Sequence, residues 1–412
     1  MVSLFMPSRV NILLRSPEIT LKRRNQSEFW SLLRENVQHC LDHAGISWPV
    51  NNARARLDID VGTAPGPELE KALGILERVA GVDSLAAALR LPPERSLIED
   101  AMVTSARECY EDDKSFAVRV HRVDKRFPLT SSQMEALLGD AIRERTGWDR
   151  VELSRPHRTF YVDIYREAAF VYLERLKGVG GLPVGVSGRV LSLLSGGIDS
   201  PVASFLLARR GARIDWFHMS ASHVTEVDLH DSVVSRIAKQ LSRTTLRSRL
   251  FVVPYTHFDL ALRGGHSGYE PVLFRRFLFR AAEELARRID ADALGTGDSL
   301  AQVASQTMEN IVASSKAIEA LVLRPLVGLD KQQIMDLARR IGTYEISIEP
   351  YKDCCALYSR RVRTRTRHEA LEAIEKRVLP RYDDLIRRSL DDLIWAEYDC
   401  GDIATIHSKA CV

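Results

Sequence analysis

The chain has 412 residues, of which 45% are hydrophobic and 27% are charged, and its formal net charge is only +3. This balance excludes a disordered chain, and the length favours two or three domains over a single core. The six cysteines are too sparse for a disulfide scaffold. No stretch reaches the about 20 apolar residues of a membrane span, and the N-terminus lacks a signal-peptide pattern. We therefore expect a cytoplasmic protein that does not contact a membrane.

The first part of the chain predicts two successive α+β units. The strand pattern VNILLRS precedes a helix in which Phe29, Leu33 and Val37 recur at helical spacing, and the alternating segment ARLDIDVG predicts a further strand. Between about residues 96 and 176, two helices alternate with the strand patterns SFAVRVHRV, TFYVDIYR and AAFVYLERL. The glycine-rich segment KGVGGLPVGVSGR then predicts a connector between domains.

The second half of the chain predicts an α/β domain with a mostly parallel sheet. The apolar strand VLSLL runs into a turn and a helix, and the strand patterns WFHMS, RLFVVPY and ALGTG follow with helical segments between them. The segment from His368 to Tyr398 is predicted to be helical.

The turn after the strand VLSLL has the composition of an anion-binding loop. Its residues are Ser195, Gly196, Gly197, Ile198, Asp199 and Ser200. It opens a helix, whose N-terminus carries a partial positive charge. Gly196 and Gly197 allow positive φ angles and the close approach of a phosphate to the main chain, and we expect Asp199 to orient Mg²⁺ or a positive donor. No G-K-[ST] follows, so this is not a Walker A loop, and the alternative is a plain glycine-rich turn.

Cys354 and Cys355 are adjacent and lie in a basic segment. Lys352, Arg360 and Arg361 flank them, and positive charge of this kind stabilises a thiolate nucleophile. The alternative is that both are small buried hydrophobic residues. No C-x-x-C pair is present, so we expect no zinc site. The spacing between His218, His223 and His230 also fits no metal-binding pattern.

Three basic patches predict contact with a nucleic acid. They comprise Lys22, Arg23 and Arg24, then Arg119, Arg122, Lys125 and Arg126 near Phe116 and Phe127, and finally the arginine-rich segment 360–367. Such patches bind phosphates without reading the base sequence, and nearby aromatic rings can stack on bases. The alternative for each patch is a solvated surface.

The order of these segments resembles a known family. The sequence SGGIDS after a strand resembles the PP-loop of ATP pyrophosphatases, and nearly the whole chain resembles the ThiI-type tRNA 4-thiouridine synthetases, in a short form without a rhodanese domain. The segments that carry the resemblance are EITLKRRNQSEF, SFAVRVHRVDKRFPLTS, GVGGLPVGVSGRVLSLLSGGIDSPVA, GDSLAQVASQT, LVLRPLVGLDKQQI and RRIGTYEISIEPYKDCC. Two residues depart from the family pattern: Asp298 stands in place of Glu, and Ala301 in place of Gly.

The resemblance implies three folded domains and an extension. A ferredoxin-like α+β domain is expected over residues 1–75 and a THUMP α+β domain that binds RNA over 76–180. A doubly wound α/β PP-loop domain with a mostly parallel sheet is expected over 181–370. Residues 371–412 would form a C-terminal helical extension.

The resemblance also implies an activity. The enzyme would use ATP and Mg²⁺ to adenylate uridine 8 of tRNA and replace its O4 with sulfur from a cysteine persulfide, forming 4-thiouridine, AMP and pyrophosphate. Asp199, Lys331 and one of the paired cysteines are the implied catalytic residues; alignment on C-A-L-Y-S favours Cys355, and counting from Gly342 favours Cys354. The implied nucleotide-binding residues are Leu193, Leu194, Ser195, Gly196, Gly197, Asp199, Ser200, His218, Met219, Arg275, Gly297 and Gln306.

The implied partners are tRNA and a cysteine desulfurase as sulfur donor. The oligomeric state is left open, and a homodimer is one of the alternatives. The thiol that resolves the persulfide is left open among the other member of the cysteine pair, Cys400 and Cys411. A role in thiamine synthesis is also left open. Two alternative functions remain at this point. One is an amidotransferase-type or lysidine-type ATP pyrophosphatase that uses nitrogen, and the other is a tRNA-binding protein without catalysis.

Overall fold

The chain divides into two compact units, Met1–Gly180 and Gly181–Val412. The structure is a computed structural model that describes residues 9–22, 24–63, 66–221, 225–262, 268–350 and 365–407. Each unit has its own sheet. Within the described ranges, no helix is both long enough and apolar enough to cross a bilayer.

The first unit alternates strands and helices. Its strands are β1 (Arg9–Arg15), β2 (Val50–Ala53), β3 (Arg56–Gly62), β4 (Ser84–Leu91), β5 (Ser115–Arg122), β6 (Arg150–Val151), β7 (Arg158–Ile164), β8 (Ala169–Tyr172) and β9 (Leu176–Lys177). Its helices are α1 (Pro17–Thr20), α2 (Gln26–His43), α3 (Pro67–Leu76), α4 (Arg95–Glu108) and α5 (Ser131–Arg145).

These strands form one sheet in the order β2-β3-β1-β4-β8-β7-β5-β6, and β9 pairs with β4. The period-two pattern of β5 buries Phe116 and Val118 against Met102 of α4 and Leu138 of α5, all within one core cluster. The domain boundary predicted after residue 75 falls within α3, and β4 beyond it pairs with β1. That boundary stays a prediction.

The second unit has a longer series of elements. Its strands are β10 (Arg189–Leu193), β11 (Arg213–Ser220), β12 (Ser248–Pro254), β13 (Ala293–Gly295), β14 (Val322–Leu323), β15 (Ile394–Asp399) and β16 (Asp402–His407). Its helices are α6 (Asp199–Arg209), α7 (Glu226–Asp231), α8 (Val233–Thr245), α9 (Thr256–Ala261), α10 (Glu270–Arg288), α11 (Met308–Ser315), α12 (Lys331–Arg340), α13 (Tyr344–Ser347), α14 (His368–Val378) and α15 (Tyr382–Asp391).

The sheet of the second unit is mostly parallel, as predicted. Its order is β14-β13-β10-β11-β12-β15-β16, and the first five strands are parallel to one another. β10 and β11 are buried along almost their whole length, which is typical of strands covered on both faces. In such a sheet the carboxyl ends of the parallel strands form one edge, where ligands bind.

The C-terminal segment corrects one prediction. The helix α14 is followed by α15, which ends at Asp391. The chain then forms the antiparallel hairpin of β15 and β16 at the edge of the sheet. Burial alternates along β15, with Ile394, Ala396 and Tyr398 inward. This period of two is a strand signal, so the predicted helix through Tyr398 is wrong from Ile394, and the predicted helical extension over 371–412 is wrong between Ile394 and His407.

Candidate active site

The loop between β10 and α6 is closed by its own serine side chains. The Ser195 N–H donates to Ser200 Oγ at 2.9 Å, and the two hydroxyl oxygens lie 3.1 Å apart. The Gly197 N–H donates to Ser195 Oγ at 3.3 Å. Neither Gly196 nor Gly197 has a positive φ, so the loop does not use the left-handed conformation that glycine allows. Hydroxyl hydrogen bonds curve the loop, and a Cβ at Gly197 would meet only Ser195 Oγ, at an ordinary contact distance of 3.5 Å.

Two helix N-termini meet beside this loop. Asp199 is the first residue of α6 and Lys331 the first residue of α12, and Lys331 Nζ lies 2.7 Å from Asp199 Oδ1. α12 begins there because Asp330 and Gln333 form a capping box. In contrast, Ile198 at the N-cap of α6 provides no side-chain hydrogen bond. The start of α6 is therefore the better anion site, because its N–H groups have no side-chain cap.

Apolar packing sets the distance between these two helices. Val202 and Ala203 of α6 lie in one fully buried cluster with Ile334 and Ala338 of α12. The ion pair between their first residues is partly exposed, and pairs of this kind contribute little stability by themselves. The core, rather than the ion pair, therefore holds the carboxylate and the ammonium together.

The segment after β13 packs directly on the start of α6. A Cβ at Gly297 would lie 2.7 Å from Ser200 N, so only glycine permits this approach. Asp298 follows and is buried, and it accepts hydrogen bonds from Arg275 and, at 3.1 Å, from Arg324. Burial alone would raise the pKa of Asp298, but the two guanidinium groups outweigh it and lower this pKa below its usual value.

Asp298→Asn is expected to destabilise the second unit by up to roughly 3–5 kcal/mol, because it removes a buried carboxylate and leaves two partly buried guanidinium groups without their counter-charge. Thermal unfolding measures this, at about 2–4 °C per kcal/mol for a unit of this size. Since the folded-state pKa is lowered, the stabilisation is present above the unfolded-state pKa of about 3.9 and is lost as the pH falls through the folded-state value.

The control for Asp298→Asn is Asp384→Asn, which breaks an exposed ion pair with Arg387 on α15 and should change stability by less than about 1 kcal/mol. Equal unfolding temperatures for the two variants would contradict the assigned role of Asp298.

Ala301, which replaces the family's glycine, has a φ of +61°. An alanine side chain is strained in this left-handed region, which glycine adopts freely. Ala301→Gly is therefore expected to raise stability by up to about 1 kcal/mol, since relief of strain exceeds the added entropy of the unfolded chain. Ala304→Gly in the following 3₁₀ turn, where φ is not positive, should lower stability, and a fall in melting temperature for both variants would refute the assignment.

The residues predicted to surround the nucleotide base lie at the carboxyl ends of β10 and β11. Leu193, Leu194, His218 and Met219 are all buried. His218 Nδ1 lies 2.9 Å from the Leu194 carbonyl oxygen, which can only accept, so Nδ1 carries the proton. The structure therefore places these four predicted residues at one edge of the sheet, where Leu193 and Met219 lie in the same core cluster and His218 contacts the main chain of Leu194.

Gln306 and Arg275 complete the predicted nucleotide set. Gln306 ends a 3₁₀ turn over Ala304–Gln306, and its Oε1 is buried without a hydrogen-bond partner in the described part of the chain. A buried amide oxygen of this kind is suited to accept from a ligand N–H. Arg275 is held by Asp298, and its guanidinium lies 5.2 Å from the ring centre of Phe279.

The chain that leads to the paired cysteines passes the phosphate loop. Ser347 Oγ donates to the Gly197 carbonyl oxygen at 3.4 Å, and Arg236 forms two hydrogen bonds with Glu349 at 2.8 and 2.5 Å. Cys354 and Cys355 themselves, together with Cys411, lie outside the described residues. Of the proposed thiols, only Cys400 is described, at the turn of the β15–β16 hairpin. Because Tyr398 pairs with Ser248 at the start of β12, this turn lies at the edge of the sheet opposite the phosphate loop, and the prediction of Cys400 as a resolving thiol is wrong.

The basic patches differ in how much charge they present. Arg122 Nη1 donates to three carbonyl oxygens of the turn 125–129, so this residue shapes the turn. Arg126 makes a bidentate pair with Asp124, and the guanidinium of Arg119 donates to carbonyl oxygens of Val118 and Leu153.

Other predicted cations are less engaged by the protein. Lys125 and Arg24 are exposed, and Lys22 lies 5.5 Å from the ring centre of Phe29. Arg23 and residues 360–364 lie outside the described residues. Binding of RNA by these patches stays a prediction.

Sequence reasoning gave no role to two residues of this site, Gln302 and Arg324. Gln302 Nε2 donates to Asp199 Oδ2 at 2.8 Å, and Arg324 binds Asp298 and Ser315 Oγ. Both lie in segments that carried the family resemblance, GDSLAQVASQT and LVLRPLVGLDKQQI. Their position after β13 and β14, at the ligand edge of a parallel sheet, was the available signal.

The fold and the site define an α/β nucleotide-binding protein with its phosphate loop after the first strand of a parallel sheet. The family description "Thiamine biosynthesis protein (ThiI)" matches residues 185–379, "THUMP domain" matches 97–174, and "ThiI ferredoxin-like domain" matches 11–86. The chain is 39% identical over 92% of its length to a probable tRNA sulfurtransferase of Nocardia farcinica, of which it covers 92%. It is 37% identical over 88% of its length to one of Thermus thermophilus, of which it covers 87%.

A solved structure gives the same result. The crystal structure of a 4-thiouridine synthetase–RNA complex with bound ATP matches 95% of this chain and 100% of its own chain, with 28% identity and a TM-score of 0.82. The chain belongs to the ThiI family of tRNA sulfurtransferases. The predicted family and the predicted fold class, with ferredoxin-like, THUMP and PP-loop parts, are confirmed.

Proposed function

We propose that this protein is an ATP-dependent tRNA uracil 4-sulfurtransferase of the cytoplasm that converts uridine 8 of tRNA to 4-thiouridine. The observation that carries the proposal is the contact between Asp199, at the start of α6, and Lys331, at the start of α12. This contact lies beside the phosphate loop, and the start of α6 has no side-chain cap. Family membership and the ATP-bound RNA complex of a similar synthetase support the same activity.

ATP would bind along the ligand edge of the parallel sheet. The apolar residues Leu193, Leu194 and Met219 at this edge suit the adenine, and Gln306 Oε1 offers an acceptor for its amino group. The N–H groups at the start of α6 suit the phosphates. Asp199, a partly exposed carboxylate at this point, is the residue that fits Mg²⁺, a cation that prefers oxygen ligands and partial hydration. Bound Mg²⁺ would neutralise charge on the phosphates.

The first chemical step would be adenylation. The uridine O4 attacks the α-phosphorus, the bond between the α-phosphorus and the bridging oxygen to the β-phosphorus breaks, and pyrophosphate leaves as N3 gives up its proton. Lys331 and the loop N–H groups would stabilise the negative charge that develops on the pyrophosphate. The product carries AMP on C4, so a poor leaving oxygen becomes a good one.

The second step would transfer sulfur. The terminal sulfur of a persulfide on Cys354 or Cys355 attacks C4, and AMP leaves with the original O4. A second thiol, from the other cysteine of the pair or from Cys411, then attacks the S–S bond. This releases 4-thiouridine and leaves a disulfide, which a two-electron thiol reductant must reduce before a cysteine desulfurase restores the persulfide.

Chain length supports this arrangement. Cys354 and Cys355 follow Ser347, which contacts the phosphate loop, by seven and eight residues. An extended chain covers at most about 3.3–3.6 Å per residue, so both sulfurs can lie no further than roughly 23–29 Å from that contact. A segment of this length allows the sulfur of either cysteine to lie next to the phosphate loop.

The deciding experiment incubates the purified protein with unmodified tRNA, ATP, Mg²⁺ and a sulfide or persulfide source, and then analyses the tRNA nucleosides by mass spectrometry. We expect 4-thiouridine and one pyrophosphate for each base modified. Pyrophosphate release with nitrogen rather than sulfur in the product would identify the amidotransferase-type alternative. Binding of tRNA without pyrophosphate release would identify the non-catalytic one.

A further inference from the structure

Gln302 holds the oxygen of Asp199 that Lys331 does not. Lys331 Nζ lies 2.7 Å from Oδ1 of Asp199, and Gln302 Nε2 lies 2.8 Å from Oδ2. The carboxylate is therefore fixed between a cation on one side and a neutral donor on the other. Neither the sequence motif nor the nucleotide-binding set assigned a role to this glutamine.

The main chain around Gln302 is closed on itself. The Ala301 N–H donates to the Gln306 carbonyl oxygen at 3.0 Å, and the Gln302 N–H donates to the Ser299 carbonyl oxygen at 3.4 Å. Gly297 anchors the start of this loop against the first turn of α6. A donor mounted on such a loop has a fixed position relative to the helix that begins with Asp199.

Nucleotide binding changes the charge balance at this point. Phosphates entering at the start of α6 bring several negative charges close to Asp199, and they compete for the ammonium of Lys331. A carboxylate held by Lys331 alone would be repelled and would rotate away. A second donor that is electrically neutral can keep Oδ2 in place without cancelling the charge that the carboxylate offers to a cation.

We infer that Gln302 is a positioning residue that holds the Asp199 carboxylate toward the phosphate loop while Lys331 and Oδ1 engage the Mg²⁺–ATP complex. The inference rests on the proposed function, because it assumes that ATP occupies this loop. An amide is the required chemistry: a lysine here would neutralise Asp199, and an ionised glutamate would repel it.

The experiment compares Gln302→Ala, Gln302→Glu and the control Gln332→Ala. Gln332 also pairs with an aspartate, at 2.8 Å from Asp336, but on the exposed side of α12. ATP binding is measured by calorimetry across a range of Mg²⁺ concentrations, and pyrophosphate release from tRNA plus ATP is measured for kcat and KM. Thermal unfolding of each variant controls for folding.

Gln302→Ala should lower kcat for pyrophosphate release and raise the Mg²⁺ concentration for half-maximal ATP binding, each by on the order of tenfold, which is the usual effect of one charge-assisted hydrogen bond. The KM for tRNA and the melting temperature should stay unchanged. Gln302→Glu should bind ATP more weakly than Gln302→Ala, because its ionised carboxylate would repel both Asp199 and the phosphates. Gln332→Ala should match the wild type.

Two results would overturn the inference: a Gln302→Ala variant with the Mg²⁺ dependence of the wild type, or a Gln302→Glu variant that binds ATP as tightly as the wild type. Failure of the proposed function has a separate signature, since the wild-type protein would then neither bind ATP nor release pyrophosphate.

Discussion

Replacing Cys354 and Cys355 by alanine, one at a time, is expected to abolish 4-thiouridine formation in one of the two variants while both variants still release pyrophosphate from ATP in the presence of tRNA. Sulfur transfer needs a thiolate that carries the persulfide, and alanine has no atom to carry it. Adenylation uses the phosphate loop, Asp199 and Lys331, which neither substitution alters. Nucleoside mass spectrometry and a pyrophosphate assay on the same reaction measure the two steps separately.

The variant that keeps part of the sulfur-transfer reaction identifies the resolving thiol. If one cysteine carries the persulfide and its neighbour resolves it, the variant of the neighbour should transfer sulfur once and then stop with the base joined to the enzyme through an S–S bond, and it should release 4-thiouridine only when a thiol reductant is added. Cys109→Ala, a substitution in the first unit, serves as the control and should be fully active. Full activity in both paired-cysteine variants would remove the sulfur-transfer mechanism.

Lys331→Ala is expected to lower kcat for pyrophosphate release by about 10²–10³-fold, the effect of removing one preorganised group that stabilises transition-state charge. The fold should be unaffected, because α12 is held by its capping box and by the buried cluster around Ile334. Lys331→Arg should restore part of the rate, since it returns the charge with a different shape. Steady-state kinetics with saturating tRNA measure the change.

The control for Lys331 is Lys376→Ala, which breaks an exposed pair with Glu372 on α14 at 3.0 Å and should leave the rate as in the wild type. A Lys331→Ala variant that loses less than about threefold in kcat would place the charge-stabilising group elsewhere in the site.

Much of the candidate site could be predicted because its chemistry depends on local order along the chain. The strand, loop and helix around residues 195–200 follow one another directly, so a local pattern indicates a phosphate loop. Lys331 could be placed only through the family resemblance, since 132 residues separate it from Asp199. The contact arises from packing of α6 on α12, which no local pattern reveals.

Other features depend on tertiary contacts that sequence reasoning did not weigh. The basic composition around Arg122 suggested RNA binding, yet its guanidinium is used by three carbonyl groups of its own turn. The glycines of the phosphate loop suggested left-handed backbone, whereas serine hydroxyls shape that loop. At the C-terminus, a short alternating pattern after two helices suggested a continuation of the helix, whereas these residues form β15, which pairs with β12.

The meeting of two helix N-termini has a consequence for how long the protein survives in a cell. Asp199 and Asp330 already place a carboxylate at each of these starts, and an anion bound between them would stabilise only the folded chain, in which the two starts are brought together. A triphosphate bound there at a hundredfold excess over its dissociation constant would add about 2.7 kcal/mol to the stability of the folded state. Energy supply would then govern abundance as well as turnover, because a starved cell would lose the nucleotide that protects this enzyme from unfolding and proteolysis.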